Sequence, residues 1–327
     1  MLRIQEVHDV RKLQNMLEKE MHREHKLWAP CLINLEDSED KYITMDDRDE
    51  AVMWLFEKNT VFEFHPETLV HSINYLDRFL SVMKVHPKYM VCITVACLYL
   101  GSKMVEEDED VPLTGDLIRV SKCGCSVSEV LRMERTILDK LNWDMHVPTS
   151  LGFLQILHAR LLAHHPQLLN GLGHMTASRH LSILTTRLLT SLSNGVLSQY
   201  SGSTIAVSLL SLELERLTPA WLSIIIMMQD TVKVENQDLI HCREVISQTL
   251  MGYPTTNALY YCINPPSVID KSDHQLNKVS TDLDEIFDSI KLLYEDGWEK
   301  NQPVVLEKQC KGSSLSPCPL LQTVGPV

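Results

Sequence analysis

At 327 residues with 44% hydrophobic side chains, the chain has enough apolar material for two packed domains and a tail. Its 43 acids outnumber 30 lysines and arginines for a net charge of -13, which argues against a nucleic-acid backbone as a direct ligand. The nine cysteines are scattered with no CxxC pair, which argues against a disulfide framework or a zinc site and fits a reduced protein of nucleus and cytoplasm. Only 12 glycines and 14 prolines occur among abundant Leu, Met, Glu and Lys, so the fold class to expect is all-α. MLRIQEVHDVRKLQ at the start lacks the apolar core of a signal peptide. The longest uncharged apolar run, YMVCITVACLYLGS, is short for a bilayer, so no membrane span is expected.

In chain order, residues 1–45 hold an amphipathic helix over VRKLQNMLEKEMHREHKLW and then a linker. Its apolar positions are Leu13, Met16 or Leu17, Met21, and Leu27 or Trp28. Five helices are expected over 46–147. The first follows Asp46 and Asp47, read as caps, and runs through RDEAVMWLFEKN. The second opens on Pro66 and carries Leu69, Ile73, Leu76 and Leu80 on one face. KYMVCITVACLYLGSK is apolar nearly all round, as an enclosed central helix would be. A fourth helix lies near PLTGDLIRVS. The fifth opens on Ser126 and Glu129 as a capping box, with Val127, Val130, Leu131, Leu138 and Leu141 as its apolar stripe.

Five more helices of similar size follow over 148–251, which suggests a second all-α unit. From 252 to 327 prolines and polar residues break the periodicity, and a flexible tail is expected. One acidic amphipathic stretch near 282–296 breaks that pattern, with Leu283, Ile286, Ile290 and Leu293 in phase. Ser316-Pro317 is a minimal proline-directed phosphorylation pattern of low specificity.

Several charges fall in phase with the apolar stripes. Asp77 sits between Ile73 and Leu80, and Arg48 precedes Ala51, Val52 and Leu55 on the inner side of its helix. A lone buried charge costs several kcal/mol, so the two are expected to pair. Glu134 lies within the stripe of the fifth helix, and Lys103 ends the central one. These two either satisfy each other or stand at the surface for another protein's backbone; periodicity does not choose. Glu106 to Asp110 raise a further question, because five acids do not suit the negative end of the helix they follow.

NYLDRFL, GSKMVEE and VLRMERTILDKLNWD, in this order and spacing, resemble the cyclin box. The resemblance spans about residues 10 to 250, is strongest from Arg48 to Asp144, and is nearest to the G/I branch of the cyclin family. It implies two tandem five-helix cyclin folds behind an N-terminal helix, no catalytic residues, no cofactor and no metal. It also implies a heterodimer with a cyclin-dependent serine/threonine kinase, which the chain would activate by stabilising the αC-in state. An atypical kinase such as cyclin-dependent kinase 5 fits that expectation. By the resemblance, Lys103 and Glu134 grip kinase backbone beside the αC helix, and Leu138, Trp143 and Met145 present apolar surface to it. Met104 and Glu106 lie at the rim, while Arg48 and Asp77 form an internal ion pair. The acids after Lys103 would then steer a basic partner.

The chain departs from cell-cycle members where their first box helix begins Met-Arg-Ala-Ile-Leu. Here Asp47, Arg48, Asp49, Glu50 and Ala51 stand in that run. Trp54 and Glu57 are retained, but acids replace two groove hydrophobes, so docking of Arg-x-Leu peptides should be weakened. The competing reading is a cyclin-fold adaptor that binds partners without activating a kinase. An enzyme is the least favoured: HREH offers His22 and His25, but no HExxH, nucleophile elbow or phosphate loop accompanies them.

Overall fold

The computed structural model describes residues 2–28, 30, 42–252 and 322–323. The expected tail helix near 282–296 and Ser316-Pro317 lie outside the described residues. Eleven α-helices carry the described fold: α1 (Leu2–Leu27), α2 (Met45–Phe62), α3 (Pro66–Val82), α4 (Met90–Val105), α5 (Thr114–Ser121) and α6 (Val127–Lys140), then α7 (Ser150–His164), α8 (Ala177–Leu192), α9 (Gly202–Leu217), α10 (Trp221–Val232) and α11 (Asn236–Gly252). A two-residue antiparallel pairing joins β1 (Met83–Lys84) to β2 (Gln322–Thr323).

Each group of five helices wraps a central one. In the first, α4 packs against α2, α3, α5 and α6, and eleven of its residues from Met90 to Ser102 are buried. In the second, α9 packs against α7, α8, α10 and α11. Both central helices are buried on most sides because neighbours enclose them. By length and composition the segment Pro87–Val105 could cross a membrane, yet most of it is buried inside the first group. The 3-10 turn Pro87–Tyr89 ahead of α4 supplies the extra length. Helix α1 packs on α7, burying Leu13 and Leu17 while leaving Met16 and Met21 partly buried.

The local sequence explains most helix starts. Pro66 occupies the first turn of α3, where its missing N–H costs nothing. Ser126 and Glu129 close a capping box on α6, and Thr149, Thr176 and Ser201 cap α7, α8 and α9. The cap of α2 corrects the sequence reading: Thr44 is the cap, and Asp47 completes its box from the third position. The stripe of α6 needs correction too. Val127 and Leu131 are 44% and 42% exposed, and the buried line runs through Val130, Glu134, Ile137 and Leu141.

Gly101 and Gly195 are small for steric reasons. A Cβ on Gly101 would lie 2.8 Å from the Thr68 carbonyl oxygen, so glycine lets α4 press against α3. A Cβ on Gly195 would meet the Met45 sulfur and the Asp49 carboxylate of α2. That contact ties the loop after α8 to the first group.

Candidate partner-binding face

Arg48 and Asp77 form a two-pronged pair inside the molecule. Arg48 Nε and Nη2 donate to Asp77 Oδ1 and Oδ2, each at 2.8 Å. Nη1 donates to Asp49 at 2.9 Å and to the carbonyls of Leu192 and Ser193 at 3.0 and 3.2 Å. Burial pulls the Arg48 pKa down, but Asp77 and Asp49 together outweigh it and hold the pKa above the ordinary arginine value. One guanidinium, 1% exposed, therefore joins α2, α3 and the end of α8. Sequence reasoning identified the α2–α3 pair but had no signal for the α8 carbonyls.

Lys103 and Glu134 resolve the other open pairing. Lys103 Nζ donates to Glu134 Oε1 at 2.7 Å, with the lysine side chain 37% exposed and the glutamate 12%. The ammonium also sits 3.9 Å from the centre of the Tyr99 ring. So the charges satisfy one another, with the lysine at the surface and the glutamate nearly buried. Lysine suits this last turn of α4, where the helix carbonyls carry partial negative charge.

Around the pair runs an apolar rim. Val127, Leu131, Glu134 and Leu138 share one face of α6, each about one helical turn from the next. Val127 and Leu131 are exposed, and Leu138 is half-buried against the core. Trp143 is 61% exposed, the largest aromatic surface of this region. Left-handed backbone at Asn142 and Trp143 turns it outward, and its indole N–H donates to Asp139 at 3.2 Å. Met104 is half-buried beside Lys103.

Two residues of the expected contact set are placed elsewhere. Met145 is 5% exposed and packs into the core, so it does not present surface. The reversal at Asn142 and Trp143 turns the chain inward there, and the Tyr75 hydroxyl and Arg78 hold it by donating to the carbonyls of Met145 and Asp144. Glu106 faces back into its own unit. Its carboxylate accepts from the His65 N–H at 2.8 Å and from the Thr68 hydroxyl, at the N-terminus of α3. His65 supplies no side-chain cap there. An acid misplaced after α4 is thus well placed before α3, because the helices run antiparallel and their opposite ends meet. Glu107 to Asp110 are exposed.

The altered α2 face is also built differently from what the sequence suggests. Asp47 is committed to the Thr44 cap, Ala51 is buried, and Glu50 is exposed. Glu57 pairs with Lys58 at 2.6 Å, and the Lys58 ammonium lies 5.6 Å from the Trp54 ring centre. A cation laid on that tryptophan was not anticipated, since lysine one residue from glutamate reads as a solvated pair. Among the described residues no group of His, Cys, Asp or Glu is arranged to hold a metal ion.

These features define an all-α protein of two five-helix units, with an ion pair between α4 and α6 and exposed apolar side chains beside it. The family description "Cyclin, N-terminal domain" matches residues 11–146. Human Cyclin-I2 is 32% identical over 257 residues, 79% of this chain and 68% of that protein. Mouse Cyclin-G2 is 35% identical over 188 residues, 57% of this chain and 53% of that protein. The solved structure of a viral cyclin from herpesvirus saimiri superposes with a TM-score of 0.57 at 20% identity, over 72% of this chain and 96% of that one. The chain belongs to the cyclin family, a family of non-catalytic regulators, and its relatives place it in the G/I branch.

Proposed function

We propose that the α4–α6 face binds a cyclin-dependent serine/threonine kinase and stabilises its αC-in state. The observation that carries this is the Lys103–Glu134 pair, whose lysine is exposed and whose glutamate is nearly buried, beside exposed Val127, Leu131 and Trp143 and half-buried Leu138. An internal pair would have no use for an apolar rim open to water. A partner's helix end could accept from the ammonium and donate to the carboxylate, with the Trp143 indole buried alongside.

The mechanism is one of differential binding. A kinase transfers phosphate efficiently once its β3 lysine pairs with the αC glutamate. A surface that fits only that form shifts the balance toward it. Moving a population from 1:99 to 99:1 takes about 5.5 kcal/mol of preference. Burial of Trp143 with Leu131 and Leu138 would contribute several of those kcal/mol, at about 25 cal/mol per Å².

The second reading, an adaptor that engages a partner without activating it, draws on the altered α2 face. With Lys58 over Trp54 and Glu57 paired beside it, an Arg-x-Leu peptide meets a cation where it needs an aromatic floor. The test is purification of the chain from cells, identification of any associated kinase, and assay of its phosphotransfer. We expect Lys103→Ala and Glu134→Ala to lose the kinase with helical circular dichroism intact. Loss of fold in both variants would return the pair to a structural role. Binding without stimulated transfer would favour the adaptor.

A further inference from the structure

Where the two units meet, one face of α3, the last turn of α6 and the linker into α7 enclose a cavity of about 240 Å³, with Trp28 and Tyr200 at its margin. Its walls are mixed: Ile73, Leu141 and Ile205 are apolar, and Arg48 and Asp77 are already bound to one another. Three polar groups remain short of partners. Arg78 donates once, to the Asp144 carbonyl at 2.8 Å, and no carboxylate of the described residues lies within ion-pair distance of it. Burial lowers its pKa, and the Asp144 carboxylate offsets that from further away. Lys140 lines the same cavity and has no ion-pair or hydrogen-bond partner among the described residues. Asn74, one turn before Arg78, has its side-chain oxygen buried without a donor.

Two cations ask for an acceptor, and an amide oxygen asks for a donor. A fatty-acid carboxylate would serve the cations and leave Asn74 unsatisfied, whereas a hydrogen phosphate could donate its P–OH but brings up to two negative charges. A peptide brings both, with a backbone N–H beside an acidic side chain. Charge sets the acid's valence. Arg78 and Lys140 contribute two positive charges, and Asp144 nearby offsets one, which matches a monoanionic carboxylate better than a dianionic phosphoryl group. The volume is below the usual range for drug-sized ligands, and suits one acidic side chain with part of an apolar neighbour.

We propose that this inter-unit cleft docks an extended peptide segment of a protein partner carrying an acidic residue next to an apolar one. The carboxylate seats on Arg78 and Lys140, a backbone N–H donates to Asn74, and the apolar neighbour packs on Ile73 and Leu141. The site does not rest on the kinase reading: Lys140 lies six residues, about 9 Å along α6, from Glu134.

The test uses the full chain with ¹⁵N-labelled tryptophan and three capped peptides, acetyl-Leu-Glu-Leu-amide and its glutamine and phosphoserine counterparts. We expect the glutamate peptide to shift the Trp28 indole signal saturably, and the glutamine peptide to bind at least about tenfold more weakly, the effect of one charged hydrogen bond. Arg78→Gln and Lys140→Gln should each weaken the glutamate peptide about tenfold. Lys140→Gln breaks no hydrogen bond of the fold, so it decides the matter should Arg78→Gln unfold. No saturable shift, equal binding of the glutamine peptide, tighter binding of the phosphoserine peptide, or an unaltered response in Lys140→Gln would each overturn the proposal.

Discussion

Single side chains carry unusual weight in this molecule because several are charged and enclosed. Asp77→Asn would leave the Arg48 guanidinium buried with carbonyls and Asp49 but without its bidentate partner. Breaking such a pair from one side costs about 3–5 kcal/mol. Urea unfolding should show that loss as a lower midpoint at unchanged slope, and an unaltered midpoint would contradict the pairing. His158 offers a second residue-scale test. It is fully buried, 2.9 Å from His180, which in turn contacts Glu213 at 3.3 Å. Burial, with a smaller effect from His180, pulls the His158 pKa to about 3. Unfolded histidine titrates near 6.5, so below that pH the unfolded chain binds a proton that the folded one excludes. This contribution is complete above about pH 6.5 and fades as pH falls toward 3, by about 1.4 kcal/mol per pH unit. His158→Gln should therefore show a shallower loss of stability between pH 6 and pH 4, by about one proton's worth. Parallel pH profiles would refute the assignment.

Among elements, the central helix α4 organises the first unit, and its fit depends on what is missing from it. Gly101→Ala would drive a methyl into the Thr68 carbonyl oxygen and the Ser72 hydroxyl on α3. The expected outcome is a destabilisation of about 1–3 kcal/mol, as overpacking costs, read by thermal unfolding. A variant as stable as wild type would mean that α3 and α4 are not held so closely. The helices themselves were legible in the sequence because caps and stripes agree: Pro66, Ser126 with Glu129, and the apolar periods of α3 and α4 all mark the same boundaries. What was hidden depended on partners far along the chain. Glu106 caps a helix that begins 40 residues earlier, and Glu24 of α1 accepts from the Ser203 N–H at the start of α9. No local pattern encodes either contact. Leu131 was read as core because period alone does not tell a buried stripe from an exposed one beside it. The inward course of Met145 follows from two left-handed residues, neither of them glycine, which sequence gives little reason to expect.

At the scale of the whole molecule, two enclosed helices, α4 and α9, make two units, and Arg48 fastens them together through the carbonyls that end α8. That rigidity matters for binding, since a partner can be held in one form only by a surface that keeps its own. The Lys103–Glu134 pair joins the last turn of α4 to the middle of α6 and is flanked by exposed Trp143. A charge swap measures most directly whether that surface reads a partner. Lys103→Glu combined with Glu134→Lys keeps an attractive pair between α4 and α6 while reversing the polarity shown outward. The two changes together should keep the helical circular dichroism of wild type and abolish capture of a cyclin-dependent kinase in pull-downs. Kinase captured as strongly by the swapped chain as by the original would contradict the account.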